Sequence, residues 1–353
     1  MRMPIIGELR RVARRTFRKS EKGVLILLYH RVTSLSVDPF HQAVTPDHFA
    51  QHLNVLQKSF PVLKLEDAIH CAQGMSVPDR SVVITFDDGY YDLLHLALPI
   101  LKEYNMPATA FVTSGFIGTN REPWWDELEK ACLANESLPT TLELQVGGKP
   151  FHWKRPDAIE RRLLSRKDGR ERSMYLPFAG GWRMQLFRTL YDRLWPLPTN
   201  EINELLGQLL DWANLPRVSR DTHRMLSANE LRAIANDGTI EVGAHTLSHA
   251  SLSSSPIDVQ KREISESKIV LEGLAGRTVS SFAYPFGGAT DYTRQTTLLV
   301  EESGFKCACS AFDGIVQQGT GLFELPRFEV HDWDGDAFAG HLDDWWKGWR
   351  RPQ

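Results

Sequence analysis

The short apolar run Ser81-Val82-Val83-Ile84 passes directly into Thr85-Phe86-Asp87-Asp88-Gly89-Tyr90, so two adjacent carboxylates close a strand that otherwise reads as buried. A carboxylate taken out of water needs a cation or a proton beside it, which makes the pair a demand for chemistry. Neighbouring side chains on a regular strand point to opposite faces, but Gly89 permits a bend just after the pair. Both carboxyl groups can then line one pocket at the strand's C-terminal end, one holding a metal while the other works as a base.

A second segment supplies partners. In Ile240-Glu241-Val242-Gly243-Ala244-His245-Thr246-Leu247-Ser248-His249, a short apolar strand is followed by two histidines four residues apart. This spacing predicts both imidazoles on one side of a helical turn. Two histidine nitrogens and one carboxylate oxygen form a three-ligand set with a coordination position left open, the pattern of catalytic rather than structural zinc. The ligands read from the sequence are Asp88, His245 and His249. Zn²⁺ is the expected ion, and the same donors tolerate Co²⁺, Ni²⁺ or Mn²⁺.

These two segments, with Phe282-Ala283-Tyr284-Pro285-Phe286-Gly287-Gly288, resemble the first three motifs of the polysaccharide deacetylases, the NodB-homology group of carbohydrate esterases. The resemblance covers most of the chain outside its middle. It implies an α/β fold, a distorted (β/α) barrel of the NodB-homology type, and metal-dependent hydrolysis of an N-acetyl, less often O-acetyl, group on a sugar. It also implies roles: Asp87 as general base, Asp88 as the metal carboxylate, and the backbone N–H of Phe286 as a donor to the oxyanion.

Two positions depart from the family pattern. An arginine two residues before the motif proline usually orients the base, and Ala283 stands there, so the sequence identifies no group that orients Asp87. The usual C-terminal Leu-x-x-His is replaced by Leu325-Pro326-Arg327-Phe328-Glu329-Val330-His331-Asp332-Trp333. The apolar strand Gly23-Val24-Leu25-Ile26-Leu27-Leu28-Tyr29-His30 instead resembles the opening strand of permuted deacetylases acting on poly-N-acetylglucosamine, where this histidine is the general acid. His30 is therefore expected to protonate the leaving amine, a task suited to an imidazole of ordinary pKa near 6.5, with His331 as the second candidate.

Helices are expected over 46–60, 65–74, 93–104 and 259–274, and from a capping box at Ser227-Ala228-Asn229-Glu230 to 236. Strands alternate with them, which argues for parallel βα units. The 353 residues, 42% hydrophobic, suffice for a barrel of about 250 residues and leave about a hundred more. The alternation stops over 119–225, read as a mixed, mainly helical insertion in a barrel spanning 23–350, after a basic segment 1–22. Within the insertion, 142–146 and 150–153 flank Gly147-Gly148 as a hairpin and 201–212 reads as an amphipathic helix. Trp124, Trp125, Trp153, Trp182 and Trp195 read first as packing residues and second as sugar platforms. The run Trp345-Trp346-Lys347-Gly348-Trp349-Arg350-Arg351 has two readings, contact with membrane or substrate, or a helix from Asp334 that packs these rings on the barrel.

A formal net charge of −3 and the lack of interleaved basic and aromatic residues exclude nucleic acid as a partner. Four scattered cysteines point to a reduced compartment, and Cys307 and Cys309 are expected on opposite faces of a strand. With neither a signal peptide nor a membrane span legible, the expected location is the cytoplasm. The basic residues from Arg10 to Lys22 read first as a solvated terminal helix and second as a peripheral contact with the inner membrane face. The expected substrate is an N-acetylated sugar or oligosaccharide in cell-surface or exported polysaccharide synthesis, with a nucleotide- or lipid-linked form as a further option. Alternatives are an O-acetyl esterase or deformylase with the same site, and a non-catalytic metal-containing glycan-binding protein.

Overall fold

Apolar strands followed by returning helices pair in parallel, because each crossover brings the chain back to the same end of the sheet. In the computed structural model, which describes residues 22–134, 137–157 and 181–348, this produces one parallel sheet. In chain order the strands are β1 (Val24–Tyr29), β2 (Arg31–Val32), β3 (Ala43–Val44), β4 (Val62–Leu63), β5 (Ser81–Phe86), β6 (Ala108–Val112), β7 (Thr141–Val146), β8 (Lys149–Lys154), β9 (Ile240–Ala244), β10 (Ser281–Ala283), β11 (Cys307–Cys309) and β12 (Phe328–Glu329). The main sheet runs β11-β10-β9-β6-β5-β1-β12, with β4 also on β5. It curls into a (β/α) barrel of the NodB-homology type, as expected. The chain between the two edge strands spans the gap, Ser310 N–H donating to Leu325 and Arg327 N–H to Phe312, both at 2.9 Å.

Helices α1 (Pro46–Ser59), α2 (Leu65–Ala72), α3 (Leu98–Glu103), α4 (Trp124–Glu129), α5 (Gly181–Leu194), α6 (Thr199–Trp212), α7 (Ala228–Asp237), α8 (Ile257–Ala275), α9 (Arg294–Glu302) and α10 (Gly335–Trp346) follow the capping signals closely. Ser227 caps α7 and Glu230 closes the box. The helix expected over 93–104 differs: Leu93–Ala97 is a π turn that leads into α3. Pro99 accounts for this, since its ring crowds the carbonyl four residues back and the wider turn relieves the clash.

The strands' period of two sorts residues onto two faces. Leu25, Leu27, Ile84 and Phe86 pack outward under α1, α8 and α10, whereas Val24, Ile26, Val83 and Phe111 fill the interior. Cys307 and Cys309 both face that interior with Ala308 outward, correcting the expectation of opposite faces: residues two apart share a face. All four cysteines are free and buried. Trp345 and Trp346 are buried, Trp345 stacked on Phe328 at 4.6 Å, as read from the sequence.

The insertion has its own core, built from Trp124, Trp125, Leu128, Phe187, Leu206 and their neighbours. β7 and β8 form the expected antiparallel hairpin, with Gly147 and Gly148 at φ +58° and +70° making its turn. All of the basic segment 1–22, on which the peripheral-membrane reading rests, except Lys22 lies outside the described residues. Among the described residues no helix is long and apolar enough to cross a membrane.

Candidate metal centre and catalytic site

Register carries the site residues to one end of the barrel. Tyr29 pairs with Phe86 and Val112 with Ala244, so the residues after β1, β5, β6 and β9 leave the sheet together. Strand alternation continues past β5: Val83, Thr85 and Asp87 share the inward parity. Asp88 would then point outward, but its φ of +73° and that of Gly89, +89°, reverse the chain. A left-handed L residue costs roughly 1–2 kcal/mol, and the Asp88 carbonyl helps hold it by accepting from Thr113 N–H at 3.1 Å. A Cβ at position 89 would lie 2.7 Å from a Val112 methyl, so only glycine fits there.

His245 and His249 do converge with Asp88, though not through a helical turn. The loop after β9 is irregular, with Thr246 at φ +61° and His249 at φ +56°, and these two left-handed residues fold it back on itself. Asp88 Oδ1 lies 3.6 Å from His245 Nε2 and 3.4 Å from His249 Nε2, and one ligand atom from each residue falls within 4.8 Å of the others. Tetrahedral zinc with bonds near 2.1 Å sets its donors about 3.4 Å apart, so the trio fits a transition metal. His245 Nδ1 lies 2.8 Å from the Ala283 carbonyl, which turns Nε2 toward Asp88. His249 Nδ1 is buried and has no hydrogen-bond partner among the described residues.

The charges agree. Burial, with Asp87 adding to it, holds the Asp88 carboxyl well above the usual carboxylate range. Burial also takes His245 down to about 4, against the opposing pull of Asp87, and His249 well below the ordinary imidazole value. Two neutral imidazoles and a carboxylate that lacks a counter-charge are donors arranged for a cation.

Asp87 is held differently. Arg327 donates Nη1 to Oδ1 at 2.7 Å and Nη2 to Oδ2 at 2.8 Å, and its Nε donates to the Ser310 carbonyl at 2.7 Å. Burial opposes ionisation of Asp87 but is outweighed by the guanidinium and by His245, leaving the carboxyl below its usual range. Arg327 fills the role left open by Ala283. Sequence reasoning missed it because Leu325-Pro326-Arg327 reads as a failed histidine motif; the usable signal was an arginine among apolar residues just before a strand.

His30 follows β1 directly opposite Asp87, whose N–H donates to the Tyr29 carbonyl at 2.9 Å. Its Nδ1 is buried with no hydrogen-bond partner among the described residues. Burial lowers its pKa while Asp87 and Glu329 raise it. In His331, Nδ1 lies 2.9 Å from the His41 carbonyl and Nε2 lies 3.8 Å from Glu329. Phe286, at φ +63° within a turn closed by Gly287 N–H to Pro285 at 2.7 Å, lays its ring 4.7 Å from His249.

Two further features surround the site, the first a wall of the kind expected of an insertion that leaves the barrel on the face of the catalytic loops, the second not read from the sequence. Trp125 packs 4.4 Å from His249 and Trp195 5.7 Å from Phe286, so the insertion walls one side of the site. Behind Asp88, Arg31 pairs with Asp92 at 2.7 Å and sits 4.0 Å over the Tyr90 ring, while Tyr90 donates to Asp126 at 2.7 Å and accepts from Trp125 Nε1 at 2.9 Å. Burial, partly offset by Arg31, raises Asp126 to about 7.

Comparisons with known proteins bear on this geometry. The family model for polysaccharide deacetylase matches residues 74–136 and 207–307. A poly-beta-1,6-N-acetyl-D-glucosamine N-deacetylase of Staphylococcus aureus is 31% identical over 111 residues, which are 28% of this chain and 38% of that protein. The match thus spans well under half of that relative. Among solved structures, the Streptococcus pyogenes deacetylase PplD in complex with acetate aligns with a TM-score of 0.55 at 17% identity, over 91% of this chain and 98% of that one. IcaB from Ammonifex degensii aligns with the same score and identity over 92% and 97%. At such identity the structural likeness speaks for the fold alone. The two matched stretches of sequence contain Asp87, Asp88, His245, His249 and Phe286, and skip most of the insertion, with His30 and Arg327 outside them. The matched motifs, in their shared order, support the polysaccharide deacetylase family for this chain, and the structural likeness agrees with that fold.

Proposed function

We propose that this protein is a zinc-dependent deacetylase that removes the acetyl group from N-acetylated amino sugar units of a glycan, in cell-surface or exported polysaccharide synthesis. The observation that carries the reading is Asp87: a second buried carboxylate, not among the three ligand residues and held ionised by Arg327, stands 3.9 Å from His245 Nε2. A bound divalent ion would polarise the acetamide carbonyl and lower the pKa of a water beside it. Asp87 then accepts the proton of the attacking water, oriented by the two guanidinium contacts. The backbone N–H of Phe286 donates to the oxygen that gains charge. His30, opposite Asp87, delivers a proton to the leaving nitrogen and so prevents expulsion of an amide anion.

A non-catalytic glycan binder drew its support from the absent motif arginine, and Arg327, just before β12, supplies that contact. The name of the staphylococcal relative supports a polymeric N-acetylglucosamine substrate.

The test is acetate release from a panel of nucleotide-linked, lipid-linked and oligomeric acetamido sugars. Release is expected from the oligomers, is lost on chelation and returns with Zn²⁺. His30→Ala should retain the metal and lose about 10²-fold or more in turnover. Undiminished turnover in that variant removes His30 from the mechanism. No acetate from any substrate, with metal bound, turns the assignment toward the binder.

A further inference from the structure

The loop carrying both histidines is anchored by a carboxylate on the helix that follows it, α8. Glu263, on α8 and 4% exposed, accepts at Oε2 from the N–H groups of Leu247 at 3.0 Å and Ser248 at 2.8 Å, and at Oε1 from the Ser248 hydroxyl at 2.8 Å. The same hydroxyl lies 2.9 Å from Thr199 Oγ1, the first residue of α6 in the insertion. From the other side, Ser114 N–H donates to Thr246 at 3.2 Å and Gly115 N–H to Leu247 at 2.7 Å, while Thr246 Oγ1 accepts from His249 N–H at 3.0 Å.

This loop needs such a clamp. Two L residues in left-handed conformation, within a segment that is neither helix nor strand, persist only where the surroundings over-determine them. Three donors from two successive residues converge on a single buried side chain, so Glu263 sets the path of the chain between the two ligands. His245 is already aimed by the Ala283 carbonyl, whereas His249 Nδ1 has no partner among the described residues. The position of His249 therefore depends on the backbone that Glu263 holds.

We propose that Glu263 is a positioning residue for the metal centre: its carboxylate locks residues 246–248 so that His245 and His249 present their nitrogens to the same point, with Thr199 latching the insertion to that lock. This inference rests on reading Asp88, His245 and His249 as a cation site. Glu263 touches neither metal nor substrate, so its effect shows in metal affinity before any turnover is measured.

Chelator-stripped full-length protein titrated with Co²⁺, followed by its visible absorption, tests this. Glu263→Ala should weaken Co²⁺ binding about tenfold or more, the scale found for residues that orient ligands. Glu263→Gln should stay within about threefold of wild type, because its carbonyl can still take both N–H groups and its amide can donate to Ser248 Oγ, whose proton turns to Thr199. Glu266→Gln, an exposed change on the same helix, should match wild type. A folded Glu263→Ala protein with wild-type affinity overturns the proposal. If that variant does not fold, Ser248→Ala decides: about threefold weaker binding supports the lock and unchanged binding overturns it. Wild-type protein that takes up no Co²⁺ overturns the metal reading itself, and this inference with it.

Discussion

Asp87→Asn should abolish turnover by about 10³-fold while the protein still takes up one equivalent of metal. The amide has no proton affinity near neutral pH, so the attacking water loses its acceptor, yet Asp88, His245 and His249 keep their places. The variant also opposes an amide NH₂ to one arm of the Arg327 guanidinium, which leaves a buried cation short of one partner. A lower melting temperature should therefore accompany the loss. Acetate release and metal stoichiometry measured on one preparation separate the effects: turnover within tenfold of wild type would remove Asp87 as the base, and loss of metal would move it among the ligands.

Replacing its partner should have the largest effect on stability. Arg327→Met fills much of the same interior space above Phe111 but leaves Asp87 buried without a counter-charge, and breaking such a pair typically costs about 3–5 kcal/mol. The pH dependence follows from the sign of the shift. In the native protein the folded-state pKa of Asp87 lies below its unfolded value, so the carboxylate contributes stability above that unfolded value, which is lost as pH falls through the folded pKa. Without Arg327, burial acts with less opposition and the folded pKa moves up. The deficit of the variant should accordingly be smallest near pH 4 and widen toward pH 7, as read by urea unfolding of the zinc-loaded proteins. A deficit that is constant across that range would show that Arg327 acts through packing and its contact with Ser310 rather than through charge.

Arg327 also marks where reading the chain reached its limit. The two carboxylates after β5, the histidine pair after β9, the capping box of α7 and the glycine turn of the hairpin were legible because each is a local pattern, governed by strand period, cap chemistry or turn conformation. The donor set for a cation was equally legible, since ligand types constrain coordination wherever they meet. The route by which His245 and His249 meet was misread: spacing of four suggests a helical turn, but helical spacing applies only where the backbone is helical, and here Thr246 and His249 are left-handed.

The sequence by itself determined which chemistry this chain carries and on which strand ends, because alternation, turn residues and ligand types act over a few residues. Only the tertiary structure decided who holds those groups in place. Arg327 reaches Asp87 across 240 positions because sheet register and the barrel's curl bring these stretches together, and Glu263 reaches Ser248 because α8 packs back on the loop that precedes it. A buried charge finds its partner by proximity in space, and the order of residues along the chain does not record that distance.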